Sequence, residues 1–401
     1  MKYKIPLIKN PFFNKKIVQK KLARFILSSD IYSMNKHCYG FEKIFSRFQG
    51  RKHTVLFNSG SSANLALIQA LINLKKLKKD DVVGFSSIGW PTTIMPLIQL
   101  GLKTIPIDID LRYLNVSMRT LENTVNKLKA QYGKKLRALF YTNILGATGD
   151  IDIVKKYCQD NNIFLLEDNC ESLGSEFNHI KLGNFGLASS FSFFVGHHLS
   201  CIEGGAVCTD DDELADMLIM VRAHGWDRNL NAARQKKLRN KFSIDDFNAK
   251  YTFYTIGMNL RPTEITGFLG LAQSKWLKDI IQRRENNFKF FYKAIAGKFN
   301  KVFNIYQNDR LTVNSNFAFA IVFKNKKDFL RTRNIFIKKG LEVRPIIGGD
   351  LTNQPFYRNA KAFHIATPNT KLICGQGFYF GNNPDLTRKE VKLITELIQK
   401  I

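Results

Sequence analysis

The sequence predicts an α/β fold in which a mostly parallel sheet is covered by helices. Short, continuously apolar strands alternate with helical segments from residue 53 to residue 209, as in sheets that are buried on both faces. The 401 residues exceed the usual size of one domain, and the pattern of the chain changes after about residue 285. We therefore predict a large domain at 1–280 and a smaller α+β domain at 281–401.

The elements of the large domain follow from hydrophobic periodicity. The predicted strands are HTVLF (53–57), DVVGFS (81–86), KTIPIDID (103–110), RALFYTNI (137–144), IFLLED (163–168), ASSFSFF (188–194) and GGAVCT (204–209). The predicted helices are 63–74, 91–101 with a break at Pro96, 151–162 and one long helix at 260–281. Ligands of parallel α/β sheets bind at the carboxyl ends of the strands, so we expect the functional residues there.

The smaller domain is predicted from two strands and two helices. NFAFAIVFK (316–324) and LEVRPII (341–347) are the strands, and the segment 327–340 between them has helical periodicity. A closing helix is predicted at about 386–400.

The charge of the chain favours anionic ligands. Lys and Arg number 61 against 33 Asp and Glu, which gives a formal net charge of +28. The basic residues are scattered, and no nucleic-acid-reading motif accompanies them, so we predict a small anionic substrate and no nucleic acid as partner.

The six cysteines form no CxxC pair, which favours a reduced protein. The first residues lack the pattern of a secretory signal, and no apolar stretch is long enough to span a bilayer. We therefore expect a cytoplasmic protein without membrane insertion.

Three short motifs at strand ends carry polar or aromatic side chains. NSGSSAN (58–64) places Gly60 and Ser61 at a helix N-terminus, which can cradle a phosphate or simply cap the helix. Asp168 ends a strand and can face a protonated heterocyclic nitrogen, although an ordinary turn is an equal alternative. Trp90 follows another strand and can cover a planar ring or pack in the core.

A fourth motif, SSFSFFVGHHLSCIEGG (189–205), combines Ser192 with His197 and His198. Adjacent residues of a strand point in opposite directions and no third ligand follows, so we predict no metal site. A general acid or base is the better interpretation, because histidine titrates near neutral pH. A fifth motif, GMNLRPTE (257–264), holds Asn259 at the entry to a helix, where it can also be a simple cap.

Taken in this order, the motifs resemble the PLP-dependent DegT/DnrJ/EryC1/StrS sugar aminotransferase family, along nearly the whole chain. The resemblance implies the fold-type I, aspartate aminotransferase-like architecture and PLP or its amine form, PMP, as cofactor. It implies that Gly60, Ser61 and Ser192 bind the cofactor phosphate. Trp90 would stack on the pyridine ring, and Asp168 would pair with the protonated ring nitrogen.

Two further roles follow from the same resemblance. Glu171 would lie close to the ring oxygen, and Asn259 would reach the cofactor phosphate of a neighbouring subunit. A homodimer with shared active sites is therefore expected.

The chain departs from the family pattern at His197, where the aminotransferases carry the lysine that links covalently to PLP. Imidazole cannot form that link, and this replacement marks the sugar 3-dehydratases of the family. One kind of 3-dehydratase in this family holds an iron–sulfur cluster, which needs several cysteine ligands. Cys170 could be one of them, but the segment 222–242, where the others would be expected, contains no cysteine. No iron–sulfur cluster is expected.

The resemblance thus implies a 3-dehydratase that removes the C3 hydroxyl of a nucleotide-linked 4-keto-6-deoxyhexose, with glutamate as amino donor. GDP-4-keto-6-deoxy-D-mannose is the expected substrate, on a route to a deoxysugar such as colitose in a lipopolysaccharide O-antigen. His197 would be the catalytic acid and base. Candidate contacts to the substrate, with ordinary surface roles as the alternative, are Arg222, His224, Arg228 and Arg344. Competing hypotheses are a nucleotide-sugar aminotransferase and an inactive relative.

Overall fold

The computed structural model describes residues 3–360 and 362–401 and has the predicted α/β architecture. The strands are β1 (His53–Phe57), β2 (Val82–Ser86), β3 (Lys103–Ile107), β4 (Leu136–Thr142), β5 (Phe164–Asp168), β6 (Glu176–Phe177), β7 (Ile180–Lys181), β8 (Ala188–Ser192), β9 (Gly205–Thr209), β10 (Leu311–Val313), β11 (Ala318–Val322), β12 (Val343–Arg344) and β13 (Gly377–Gly381).

The α-helices are α1 (Lys15–Ser28), α2 (Lys36–Gln49), α3 (Gly60–Asn73), α4 (Met95–Gln99), α5 (Met118–Tyr132), α6 (Ile151–Asp160), α7 (Asp212–Arg222), α8 (Ala232–Phe242), α9 (Glu264–Ser274), α10 (Leu277–Ala296), α11 (Lys326–Lys338), α12 (Pro355–Arg358), α13 (Pro368–Gln376) and α14 (Arg388–Gln399). Short 3₁₀ turns lie at Pro91–Thr93, Ile144–Gly146, Asn248–Tyr251 and Leu351–Asn353. In the described ranges, no helix is long and apolar enough to cross a membrane.

The large sheet has the strand order β1-β9-β8-β5-β4-β2-β3. β8, β5, β4, β2 and β3 are parallel, and β9 runs antiparallel to both of its neighbours. Consequently β1 runs in the same direction as the parallel strands, and the carboxyl ends of all of them meet at one edge of the sheet.

Helices bury both faces of this sheet, which explains the continuously apolar strands. Leu139 and Leu165 face a cluster with α5 and α6, whereas Phe140 and Leu166 face the opposite cluster with α3 and α7. Successive side chains of a strand point to opposite faces, so both sets of positions must be apolar.

The C-terminal part forms a second, antiparallel sheet in the order β11-β13-β12. Its core joins Phe319 and Phe380 of the strands to Phe291 of α10 and Ile394 of α14, and Ile5 near the N-terminus packs there as well. The division of the chain into 1–280 and 281–401 stays a prediction, and this boundary would fall inside α10.

The predicted long helix at 260–281 is wrong, because two helices occupy this region. Thr263 caps the first one by accepting a hydrogen bond from the N–H of Thr266, so α9 begins only at Glu264. The chain then turns at Trp276, whose ring packs edge-on against Phe13 with centroids 6.2 Å apart, before α10 begins. The break thus coincides with a contact to a residue far away in the chain.

Candidate active site

A cavity of about 510 Å³ lies at the carboxyl ends of β1, β2, β4, β5 and β8, where the sequence placed its candidates. Residues of the C-terminal sheet and of the N-terminal segment close its other side. The predicted site residues that line it are Gly60, Ser61, Trp90, Asp168, Glu171, Ser192, His197 and Arg344.

One end of the cavity is the N-terminus of α3, a helix of 14 residues. Ser59 caps it, since its Oγ accepts a hydrogen bond from the N–H of Ser62 at 3.0 Å. Gly60 packs so closely on β8 that an added Cβ would lie 2.7 Å from the Cβ of Ser192. Free N–H groups, a helix dipole and serine hydroxyls thus converge, and together they fit a phosphate group.

Adding a methyl group at Gly60 tests this cradle. We expect Gly60→Ala to weaken PLP binding by tenfold or more, because the new Cβ pushes the N-terminus of α3 away from Ser192. Fluorescence titration of the apoprotein with PLP measures the change. The control is Gly375→Ala in α13, where an added Cβ meets nothing within 4 Å. Equal PLP affinity of both variants would contradict the assignment.

Asp168 lies at the end of β5 and is 4% exposed. Its Oδ2 accepts hydrogen bonds from Thr93 Oγ1 at 2.7 Å and from Asn64 Nδ2 at 3.1 Å. Its Oδ1 accepts one from the N–H of Cys170 at 3.1 Å. These donors hold a carboxylate in one orientation at the cavity, which fits a protonated heterocyclic nitrogen.

Trp90 is 57% exposed although it is a large aromatic residue, and it lines the cavity. An exposed indole at the rim can stack on a bound ring. The sequence left a core position open as the alternative, and the exposure rules this alternative out.

Glu171 is half-buried at the cavity and has a negative charge nearby. Burial raises the pKa of its carboxyl to about 8; a hydrogen bond from the N–H of Leu145 opposes this shift, and the charge of Asp168 adds to it. The carboxyl is therefore mostly neutral at pH 7 and can donate a hydrogen bond to an oxygen in the cavity.

His197 presents a neutral imidazole to the cavity. Burial lowers its pKa to about 4, and the positive charge of Arg284 adds to the effect. The ring lies against Phe317 with centroids 5.2 Å apart, and its Nδ1 is buried without a hydrogen-bond partner. Because Nδ1 is enclosed, Nε2 is the ring nitrogen left to exchange a proton with a ligand in the cavity.

His198 has a different environment from its neighbour. Its ring is buried and its Nε2 lies 2.7 Å from the carbonyl oxygen of Ser315, so it joins the loop to the chain before β11. Within residues 3–360 and 362–401, no group of three His, Cys, Asp or Glu side chains is arranged to hold a metal ion.

Arg222 does not reach the cavity, and its predicted contact with substrate is corrected. The side chain is 1% exposed and donates hydrogen bonds to Glu42 Oε1 at 2.6 Å and to the carbonyl oxygen of Leu56 at 3.0 Å. A guanidinium enclosed in this way fastens α7 to α2 and β1 and leaves no surface for a ligand.

The structure also places His224, Arg228 and Asn259 outside the cavity of their own chain. The guanidinium of Arg228 lies over the ring of Trp226 at 4.1 Å from its centroid, and the side chain is exposed. Asn259 is exposed too and forms a backbone bridge with Ala223. Roles of these three residues in binding therefore stay predictions that need a second subunit.

Several residues that line the cavity were missed by the sequence analysis. Arg284 comes from α10, Tyr379 from β13, Glu342 from the segment before β12, and residues 6–8 from the N-terminal segment. The sequence carries no local signal for them, because an arginine within a helix or a tyrosine within a strand is ordinary. Only the packing of the C-terminal sheet against the large sheet brings them to the site.

Comparison with known proteins agrees with this geometry. The model of the DegT/DnrJ/EryC1/StrS aminotransferase family matches residues 15–399. GDP-4-keto-6-deoxy-D-mannose 3-dehydratase of Yersinia pseudotuberculosis is 33% identical over 381 residues, which cover 94% of each chain. The enzyme of the same name from Escherichia coli O55:H7 is 31% identical over 393 residues, covering 95% of this chain and 97% of the relative.

A solved structure extends the likeness to three dimensions. A GDP-4-keto-6-deoxymannose-3-dehydratase with a trapped PLP-glutamate geminal diamine superimposes with a TM-score of 0.85 at 29% identity. The match covers 98% of this chain and all of that one. The predicted aminotransferase-like fold is thus confirmed. Because the family model matches residues 15–399, almost the whole length, the chain belongs to the DegT/DnrJ/EryC1/StrS aminotransferase family.

Proposed function

We propose that the protein is a PLP/PMP-dependent 3-dehydratase that removes the C3 hydroxyl of a nucleotide-linked 4-keto-6-deoxyhexose. The observation that carries this proposal is His197, a neutral imidazole that lines the cavity. The family resemblance implies that it stands where the aminotransferases have their cofactor-linking lysine. None of the described residues that line the cavity is a lysine. The names of the similar proteins support GDP-4-keto-6-deoxy-D-mannose as the substrate.

The bound cofactor supplies an electron sink through its pyridinium ring. Asp168 would keep that ring protonated, and Trp90 would cover its face. His197 would take up a proton at the reaction centre and give it to the departing C3 hydroxyl as water forms. Glu171, whose raised pKa favours the protonated form, would donate a hydrogen bond to the ring oxygen.

The overall reaction balances with glutamate as the reductant. The 4-keto-6-deoxyhexose and glutamate give a 4-keto-3,6-dideoxyhexose, 2-oxoglutarate and ammonia, so the sugar loses one oxygen atom. The structure with a PLP-glutamate geminal diamine supports glutamate as the donor.

A homodimer is part of the proposal. Asn259 lies next to a segment with strongly exposed apolar side chains, among them Phe247, Tyr251, Phe253 and Ile256. Such a patch is typical of a surface that another protein chain covers. A second copy of the chain that covers this patch would bring Asn259 toward the cofactor site of that second copy.

Six free cysteines support a reducing compartment, which we propose to be the cytoplasm.

Mass spectrometry of the sugar product tests the function. The protein is incubated with PLP, glutamate and GDP-4-keto-6-deoxymannose while ammonia release is followed. We expect a product lighter by one oxygen atom and ammonia equal to it in amount. An amino sugar that keeps its C3 oxygen would show an aminotransferase instead. If neither the GDP-linked sugar nor its CDP- and dTDP-linked counterparts react, the chain is an inactive relative.

A further inference from the structure

Arg284 of α10 is a buried cation at the active-site cavity without a counter-ion in the described parts of the chain. Its side chain is 3% exposed and lines the cavity. The negative charge of Asp385 acts on it without a salt bridge between the two side chains, and the carboxylate of Asp385 accepts a hydrogen bond from Asn10. A buried charge is costly unless a partner neutralises it.

The hydrogen bonds of Arg284 leave one edge of its guanidinium without a partner. Nη1 donates to the carbonyl oxygens of Asn382 at 2.6 Å, of Phe317 at 3.1 Å and of Asn316 at 3.5 Å. Nε is buried without a partner, and the structure shows no hydrogen bond from Nη2 among the described residues. The Nε–Nη2 edge is the one that binds a carboxylate through two parallel hydrogen bonds.

This guanidinium is held rigidly beside the catalytic histidine. Phe317 contacts both residues, since its ring lies 5.2 Å from that of His197 and its carbonyl oxygen accepts from Arg284. The Nδ2 of Asn382 donates to the carbonyl oxygen of Arg284 at 2.9 Å and thereby fastens the helix to the strand β13. A site organised before its ligand arrives binds that ligand more tightly.

The other cation that lines the cavity is already paired. Arg344 donates from both Nε and Nη2 to Glu342 Oε1, at 3.0 and 2.6 Å, and 58% of its side chain is exposed. Among the described residues at the cavity, Arg284 is therefore the arginine whose carboxylate-binding edge has no acceptor.

From this geometry we propose that Arg284 binds the α-carboxylate of the amino donor. This inference rests on the proposed function, in which glutamate regenerates the amine form of the cofactor. The α-carboxylate is bonded to the same carbon as the reacting amine, so it must lie near His197. The diphosphate of a nucleotide sugar is separated from the ketone carbon by the pyranose ring and the glycosidic oxygen, so it lies farther away.

The experiment measures the donor half-reaction of the PLP-loaded protein without any nucleotide sugar. L-Glutamate, its α-amide and its γ-amide are compared by the loss of aldehyde absorbance. We expect the wild type to prefer glutamate over the α-amide by about 10- to 100-fold, as for the loss of a charge-assisted pair. In Arg284→Gln this preference should fall to about twofold or less. Arg283→Gln, an exposed neighbour on α10, is the matched control and should keep it.

Two further measurements do not depend on turnover. The binding of 2-methylglutamate, which has no α-hydrogen, should weaken by a similar factor in Arg284→Gln and in Arg284→Lys. If neither variant folds, a crystal structure of the wild type with 2-methylglutamate decides, because its α-carboxylate must lie within hydrogen-bonding distance of Nε and Nη2.

The outcomes separate this inference from the proposed function. If glutamate does not convert the cofactor of the wild type at all, the donor assignment itself fails and this inference with it. If the wild type reacts but Arg284→Gln keeps the full preference for glutamate over the α-amide, only the role of Arg284 is overturned. If Arg284→Gln slows both half-reactions equally and keeps the preference for glutamate over the α-amide, Arg284 has only a structural role. This outcome would also overturn the inference.

Discussion

His197→Asn is expected to lower the rate of C3 dehydration by about 10²–10⁴-fold, the usual contribution of a positioned acid or base. Asparagine occupies a similar volume but cannot take up a proton at neutral pH. The rings of Phe194 and Phe317 that pack on His197 cannot replace it as a base, and the adjacent His198 is buried with its Nε2 at the carbonyl oxygen of Ser315. The loss should therefore appear in the chemical step and leave the affinity for PLP nearly unchanged.

Single-turnover kinetics with the PMP-loaded protein measure this step directly. His179→Asn is the matched control, because His179 is exposed, is absent from the cavity lining and has a φ of 63°, which asparagine tolerates. This control should keep its activity within about twofold. Full dehydration activity of His197→Asn would show that another group moves the proton.

The pKa of His197 adds a pH dependence to the same pair of variants. Because burial lowers this pKa from 6.5 to about 4, the imidazole stays neutral and able to accept a proton well below pH 6. In the unfolded chain it takes up a proton near pH 6.5, so its contribution to stability is complete above that pH and is lost as the pH falls toward 4. Chemical denaturation of the wild type should therefore show a steeper loss of stability between pH 6.5 and 4 than that of His197→Asn.

Asp168→Asn is expected to lower both half-reactions by about 10²–10³-fold, the range seen when one electrostatic contact to a transition state is removed. The amide is neutral and does not favour a protonated ring nitrogen. Its NH₂ group would also face a donor, because the three partners of the carboxylate, Thr93, Asn64 and the N–H of Cys170, all donate. Rapid-mixing absorbance with glutamate and with the nucleotide sugar measures the two steps separately.

Thr93→Val is the graded control for this prediction. It removes one donor, at 2.7 Å, and keeps the carboxylate charge, so its effect should be about tenfold or less. A loss in Thr93→Val as large as that in Asp168→Asn would mean that orientation, rather than charge, is what Asp168 provides. Unchanged rates in Asp168→Asn would contradict its pairing with the ring nitrogen.

Much of the candidate site follows from local patterns in the chain. Asp168 and Ser192 each end an apolar strand, and parallel strands have their carboxyl ends at one edge of the sheet, so the pattern alone predicts that these side chains meet. Ser61 lies in the first turn of α3, which follows β1 closely, and reaches the same edge. Such predictions succeed because strand direction and helix starts depend on residues close in sequence.

Other features involve contacts between distant parts of the chain, and for these the sequence led to a wrong prediction or to none. Arg222 is of a residue type that often binds anionic ligands, yet its guanidinium is buried against Glu42 and the carbonyl oxygen of Leu56. The break between α9 and α10 lies where Trp276 packs against Phe13, which is more than 260 residues away in the chain.

The sequence by itself thus determined the seven strands of the large sheet, the strand ends that carry Asp168 and Ser192, and the histidine in place of lysine. Only the tertiary structure decided which cations face the cavity and which serve the fold. Hydrophobic periodicity is a local property, whereas the charge state and free hydrogen-bonding edge of a side chain such as Arg284 depend on what packs around it.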